Sequence, residues 1–85
     1  YWLGEANYVS REYKKALDGF QTLIAKYPES SKIPGARLKI GYTYYELQNW
    51  SAAKEALTQA AKLYPDTTVA AKANERLARI AREGH

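Results

Sequence analysis

Few side chains in this sequence have the types or the spacing that catalysis requires. The single histidine, His85, sits at the end beside Gly84 and reads as a residue foreign to the native protein. Glu5, Glu12, Glu46 and Glu55 are spaced as ordinary surface charges. No serine, histidine and aspartate set, no metal-ligand spacing and no glycine-rich phosphate loop can be assembled. The absence of cysteine removes disulfides and thiolate metal sites, without choosing a compartment. The expectation is a chain that is not an enzyme and needs no cofactor or metal.

What these side chains can do is bind. The sequence holds eight tyrosines in 85 residues, and a tyrosine offers a wide contact area with a hydroxyl at its tip. Tyr13, Tyr27, Tyr44 and Tyr64 have packing explanations, whereas Tyr8, Tyr42 and Tyr45 have no obvious one. With their helical neighbours they define a candidate partner-binding stripe of Trp2, Glu5 and Tyr8, then Leu38, Lys39, Tyr42 and Tyr45, then Arg76 and Arg79. Lys39, Arg76 and Arg79 are suited to neutralising an acidic ligand or a terminal carboxylate. The competing reading is that aromatic residues at helical spacing are core, with Tyr45 tucked against the next hairpin.

Charge and composition exclude other classes. Net charge is +4, with Lys72, Arg76, Arg79 and Arg82 opposed only by Glu75 and Glu83 near the end. A nucleic-acid patch there is weaker than the reading of a solvated face on a terminal helix. Apolar residues make up 46% and charged residues 26%, which is ordinary for one globular domain with a small core. No apolar run approaches the roughly 18 residues of a membrane span. Tyr1-Trp2-Leu3 lacks a basic leader region, so any targeting segment is expected to lie outside these residues.

Positioning falls to a repeat of 37 residues. Leu3-Gly4 recurs as Ile40-Gly41, Ala16 as Ala53, Phe20 as Leu57 and Tyr27-Pro28 as Tyr64-Pro65. A partial third copy echoes Ser30-Ser31 as Thr67-Thr68, Ala36 as Ala73 and Ile40-Gly41 as Leu77-Ala78. Self-similarity at about 20 to 50 residues marks a solenoid, whose units bury their apolar faces against neighbours. Tyr13, Ala16, Leu17, Phe20, Leu23, Ile24 and Tyr27 carry a helical period that Pro28 ends. Ser51 to Tyr64, stopped by Pro65, is the second copy. Pro34 to Leu47, capped by Ser30 or Ser31, and Val69 to Arg82 read as further helices. Tyr1 to Val9 reads as the later part of another. The expected architecture is all-α: five antiparallel helices, two hairpins plus a closing helix. Arg11-Glu12 and Gln48-Asn49 are the tight turns, with Asn49 the residue best suited to a left-handed conformation.

The order Leu-Gly, then alanine, then a large apolar residue, then Tyr-Pro resembles the tetratricopeptide repeat. On that resemblance, Gly4, Gly41, Ala16 and Ala53 let the two helices of a hairpin approach, and Phe20 and Leu57 fill the space between hairpins. The usual repeat is about 34 residues, and the extra length is expected near Glu29 to Pro34. Two and a half repeats in a right-handed solenoid follow, spanning 1–28, 31–65 and a closing helix at 67–83. Asn7 and Arg11 depart from the usual tyrosine and glycine. One subset of the repeats clamps a terminal carboxylate with asparagines and lysines. Tyr1, Glu5 and Lys39 occupy those positions here, so that clamp is absent.

More narrowly, Tyr1 to Ala6, Lys26 to Lys32, Leu38 to Tyr42, Tyr64 to Thr67 and Ala73 to Leu77 resemble the C-terminal repeat domain of the Tol-Pal-associated YbgF/CpoB family. That resemblance implies a periplasmic adaptor of Gram-negative bacteria. It would couple outer-membrane constriction to peptidoglycan synthesis in cell division, partly through TolA, and trimerise through a coiled coil outside these residues. No nucleic acid and no membrane insertion are expected. The alternative is a self-assembling structural repeat module, or the scaffold domain of another periplasmic repeat lipoprotein. In that alternative the first helix forms the self-association edge.

Overall fold

Helices form wherever the apolar period runs and stop where proline or a left-handed residue interrupts it. The computed structural model describes residues 1–85, the side chain of Val9 excepted. It contains α1 (Trp2–Val9), α2 (Tyr13–Lys26), α3 (Ile33–Glu46), α4 (Trp50–Leu63) and α5 (Thr68–Arg82). These are the five expected helices, with α3, α4 and α5 each starting one residue earlier than the sequence suggested. Sequential helices pack on one another, and α5 also rests on α3.

The two Tyr-Pro stops repeat in geometry as well as in sequence. Tyr27 lies at φ −132° and ψ 62°, and Tyr64 at φ −127° and ψ 58°. Each is pushed out of the helical region by the proline that follows it. The turns inside the hairpins also match and fall on the expected pairs Arg11-Glu12 and Gln48-Asn49, but Asn49 is not the left-handed residue. Arg11 and Gln48 take the left-handed conformation, at φ 66° and 62°. Asn49 instead caps α4, its side-chain oxygen accepting from the Ala52 amide at 3.3 Å. An asparagine is worth more as a helix cap than in the turn, because the first amides of a helix have no internal partner.

The α3 start also differs from expectation. Lys32 is its N-cap without a side-chain hydrogen bond, and Ser30 accepts from the Lys32 amide one step earlier. Pro34 sits in the first turn, where it displaces no helical hydrogen bond. Thr67 caps α5 by accepting from the Ala70 amide.

Each hairpin closes on a glycine. A Cβ at Gly4 would stand 2.9 Å from a Phe20 ring carbon, and one at Gly41 would stand 2.6 Å from a Leu57 methyl. Phe20 and Leu57 are fully buried. They therefore fill the space inside their own hairpins, above the glycines, rather than only the space between hairpins. Burying a side chain of this size stabilises by roughly 1.5–3 kcal/mol. Ala16, Phe20 and Ala36 form one core cluster; Leu38, Ala53, Leu57, Ala60, Ala73 and Ile80 form the other. Thr43, buried and polar, donates to the Lys39 carbonyl at 2.6 Å and so carries no desolvation debt.

The repeat register exposes an asymmetry. Ile40 and Leu77 occupy equivalent positions and pack against the clusters of the preceding hairpins. Leu3, their counterpart on α1, is 71% exposed.

Candidate partner-binding face

The first helix of each hairpin and the closing helix, α1, α3 and α5, lie side by side through their side chains. Between α1 and α3, Lys39 pairs with Glu5 at 3.3 Å and lies 5.1 Å from the centre of the Tyr8 ring. The same ammonium is 5.7 Å from the Tyr42 ring. Between α3 and α5, the Arg76 guanidinium stands 4.2 Å from the Tyr42 ring and 4.7 Å from the Tyr45 ring. Arg79 stands 5.5 Å from Tyr45. Such placements exploit the negative face of the ring. Helical spacing produces them: Tyr42 and Tyr45, like Arg76 and Arg79, are three residues apart and share a face.

Seven of the nine candidate residues are thus brought into one stripe: Glu5, Tyr8, Lys39, Tyr42, Tyr45, Arg76 and Arg79. The other two are not. Leu38 is 5% exposed and belongs to the core of the second hairpin. It cannot contribute to a surface, because α3 is packed by α2, α4 and α5 and its apolar positions point into that packing. Trp2 is 70% exposed but stands over a different cation, with Lys32 at 4.8 Å from its ring. Tyr27, expected to pack, is instead exposed beside Pro28.

The tyrosines of the stripe are both packed and presented. Tyr42 and Tyr45 lie against the second core cluster and Tyr8 against the first, each remaining half-buried. The rings are therefore partly core, and each keeps part of its surface exposed. Burial raises the Tyr8 hydroxyl pKa, and the charge of Glu46 raises it further while Arg76 opposes. Burial likewise raises Tyr42, against the lowering effect of Arg76.

One contributor was not foreseen. The Glu83 carboxylate accepts from the Tyr45 hydroxyl at 2.5 Å through one oxygen and from Arg79 Nε at 3.3 Å through the other. The hydrogen bond to Glu83 is the first cause of the raised Tyr45 pKa, and the bond from Tyr45 is the first cause of the lowered Glu83 pKa. The signal available in the sequence was the Arg79–Glu83 spacing, which places the two on one helix face. His85, spacing aside, stacks on Trp50 with ring centres 3.7 Å apart.

A depression of about 500 Å³ lies on α4 among Lys54, Glu55, Thr58, Gln59 and Lys62, none of which belongs to the stripe. No group of acidic, histidine or cysteine side chains among the described residues is arranged to hold a metal. No helix is long and apolar enough to cross a membrane. An extended surface of rings and cations across three helices is suited to gripping a polypeptide.

A comparison with curated proteins returns no match. The tetratricopeptide repeat pattern matches residues 1–30 and again residues 36–67. Those two stretches coincide with the two hairpins whose glycines, prolines and turns repeat in space, so the chain belongs to the tetratricopeptide repeat family.

Proposed function

We propose that the chain is a protein-interaction adaptor of the Tol-Pal cell-envelope system, acting in the periplasm. In this reading it coordinates outer-membrane constriction with peptidoglycan synthesis during cell division, through TolA and the synthesis machinery. The observation that carries the interaction reading is the stripe from Glu5 to Arg79, in which tyrosine rings alternate with cations across three helices. The Tol-Pal assignment is supported by the residue strings around Tyr1-Trp2-Leu3-Gly4, Tyr27-Pro28-Glu29-Ser30 and Ala73-Asn74-Glu75-Arg76. Pull-down of TolA fragments with the immobilised chain tests it. Retention that is lost with Tyr42→Ala supports the adaptor role, while no retention of TolA removes the Tol-Pal assignment.

A second reading is favoured by Leu3 and Trp2, whose apolar side chains are bare on α1. A self-assembling module would associate along that edge. Sedimentation decides between them: a monomer that still retains partners eliminates obligate assembly.

A further inference from the structure

Tyr45 and Arg79 together hold one carboxylate, that of Glu83. The hydroxyl donates to one oxygen and the guanidinium Nε to the other. Moving back three residues on both helices gives Tyr42 and Arg76, the same ring and the same cation in closer contact. Here no carboxylate answers. Arg76 forms no ion pair among the described residues, and its Nη1 is buried with no hydrogen-bond partner. The guanidinium reaches the Tyr8 hydroxyl, where its charge and hydrogen bonding act to lower the Tyr8 pKa, while its Nη1 is left without a partner. Glu46 and Glu75 act on Tyr8 and Tyr42 through their charge, and neither pairs with Arg76.

The remaining cations of the stripe are already neutralised, Lys39 by Glu5 and Arg79 by Glu83. Arg76 is therefore the one cation of the stripe left with its charge uncompensated. It also lies closest to its rings, 4.2 Å from Tyr42 and 4.7 Å from Tyr45. A planar guanidinium held in this way suits two-point bonding to a carboxylate, and its orientation needs no further ordering on binding.

We propose that the Arg76–Tyr42 pair, with the Tyr8 hydroxyl beside it, recognises a single aspartate or glutamate side chain within an internal segment of the partner protein. The pair does for the partner what Arg79 and Tyr45 do for Glu83. The Glu5 Oε2 oxygen, also buried and without a partner, sets the second requirement: a hydrogen-bond donor on the same segment, towards α1. This assignment rests on the reading of the stripe as a protein-binding face, and adds to it which side chain of the partner is read.

The test is a random dodecapeptide display library selected on the 85-residue chain, and in parallel on Arg76→Gln and Arg82→Gln. Circular dichroism establishes that each variant is folded. Selected peptides are expected to share one acidic residue, with the enrichment kept by Arg82→Gln, an exposed cation of α5 outside the stripe, and lost by Arg76→Gln. A selected peptide resynthesised with Gln for that acid should bind the parent chain about tenfold more weakly, in keeping with a lost charged hydrogen bond. On Arg76→Gln the two peptides should bind alike. Peptides selected without acid preference, or the same acid preference on Arg76→Gln, would overturn the carboxylate assignment and leave the protein-binding face standing. Stronger competition by peptides whose only carboxylate is C-terminal would also overturn it. A library from which nothing is selected overturns the face and the assignment together.

Discussion

The Arg76 guanidinium lies 4.2 Å from the centre of the Tyr42 ring, and that contact joins the closing helix to the middle of the stack. It makes the candidate stripe and the packing of α5 on α3 partly the same interaction. A cation over a half-buried ring contributes about 0.5–2 kcal/mol.

Arg76→Gln is therefore expected to lower stability by about 0.5–2 kcal/mol while preserving helix content. Tyr42→Phe keeps the ring and should be near neutral in stability. Tyr42→Ala removes packing against the second core cluster as well, and should cost about 2 kcal/mol or more. Urea unfolding followed by circular dichroism measures all three. A Tyr42→Phe variant as unstable as Tyr42→Ala would contradict a role based on the ring.

Gly41 gives a sharper packing test. Alanine there gains about 1 kcal/mol of helix propensity. Its Cβ, however, meets Leu57 at 2.6 Å inside a filled core, and overpacking of that kind costs about 1–3 kcal/mol. The net expectation is destabilisation. In a Leu57→Ala background, itself costing about 2–5 kcal/mol, the clash disappears and Gly41→Ala should become stabilising. A double-mutant cycle in urea reads the change of sign.

Much of this was legible in the sequence. The helical period, the two prolines and the glycine-to-large-residue pairing located α2 and α4 to within a residue, because each of those signals acts locally. Leu38 was misplaced because α3 is packed on three sides, so its apolar positions do not fall on one stripe that distinguishes core from surface. The Glu83 contact with Tyr45 spans 38 residues and depends on how α5 lies on α3, which no local pattern encodes. The left-handed turn fell to Gln48 because its neighbour Asn49 had a better use as a cap.

That division of labour predicts opposite effects at adjacent positions. A non-glycine residue in the left-handed region costs about 1–2 kcal/mol, so Gln48→Gly should stabilise by up to about 1 kcal/mol after the greater freedom of the unfolded glycine is counted. Asn49→Ala should instead destabilise by about 0.5–2 kcal/mol through the lost cap. Thermal melts of the two variants suffice. Equal shifts of the same sign would refute the assignment.

The stripe also sets a response to pH. Tyr8, Tyr42 and Tyr45 have raised pKa values, so the folded state holds their protons more tightly than the unfolded chain does. Their contribution is complete below the ordinary value of about 10 and is lost as pH rises through the folded values. Glu83 is lowered, so its contribution is present above its ordinary value and is lost as pH falls through the folded one. Tyr45→Phe should shift both limits, since it removes the hydroxyl that couples the two groups. NMR titration of the Glu83 carboxyl carbon checks this, with the Glu83 pKa expected to move up in the variant.

The two tryptophans sit in contrasting surroundings: Trp2 is 70% exposed on α1, and Trp50 is half-buried against Tyr45 and stacked on His85. The molecule thus carries two intrinsic optical reporters, one on the outermost first helix and one beside the end of the closing helix. Replacing either by phenylalanine leaves a single tryptophan, which can be excited apart from the eight tyrosines, so fraying of the two ends can be timed separately without an added dye.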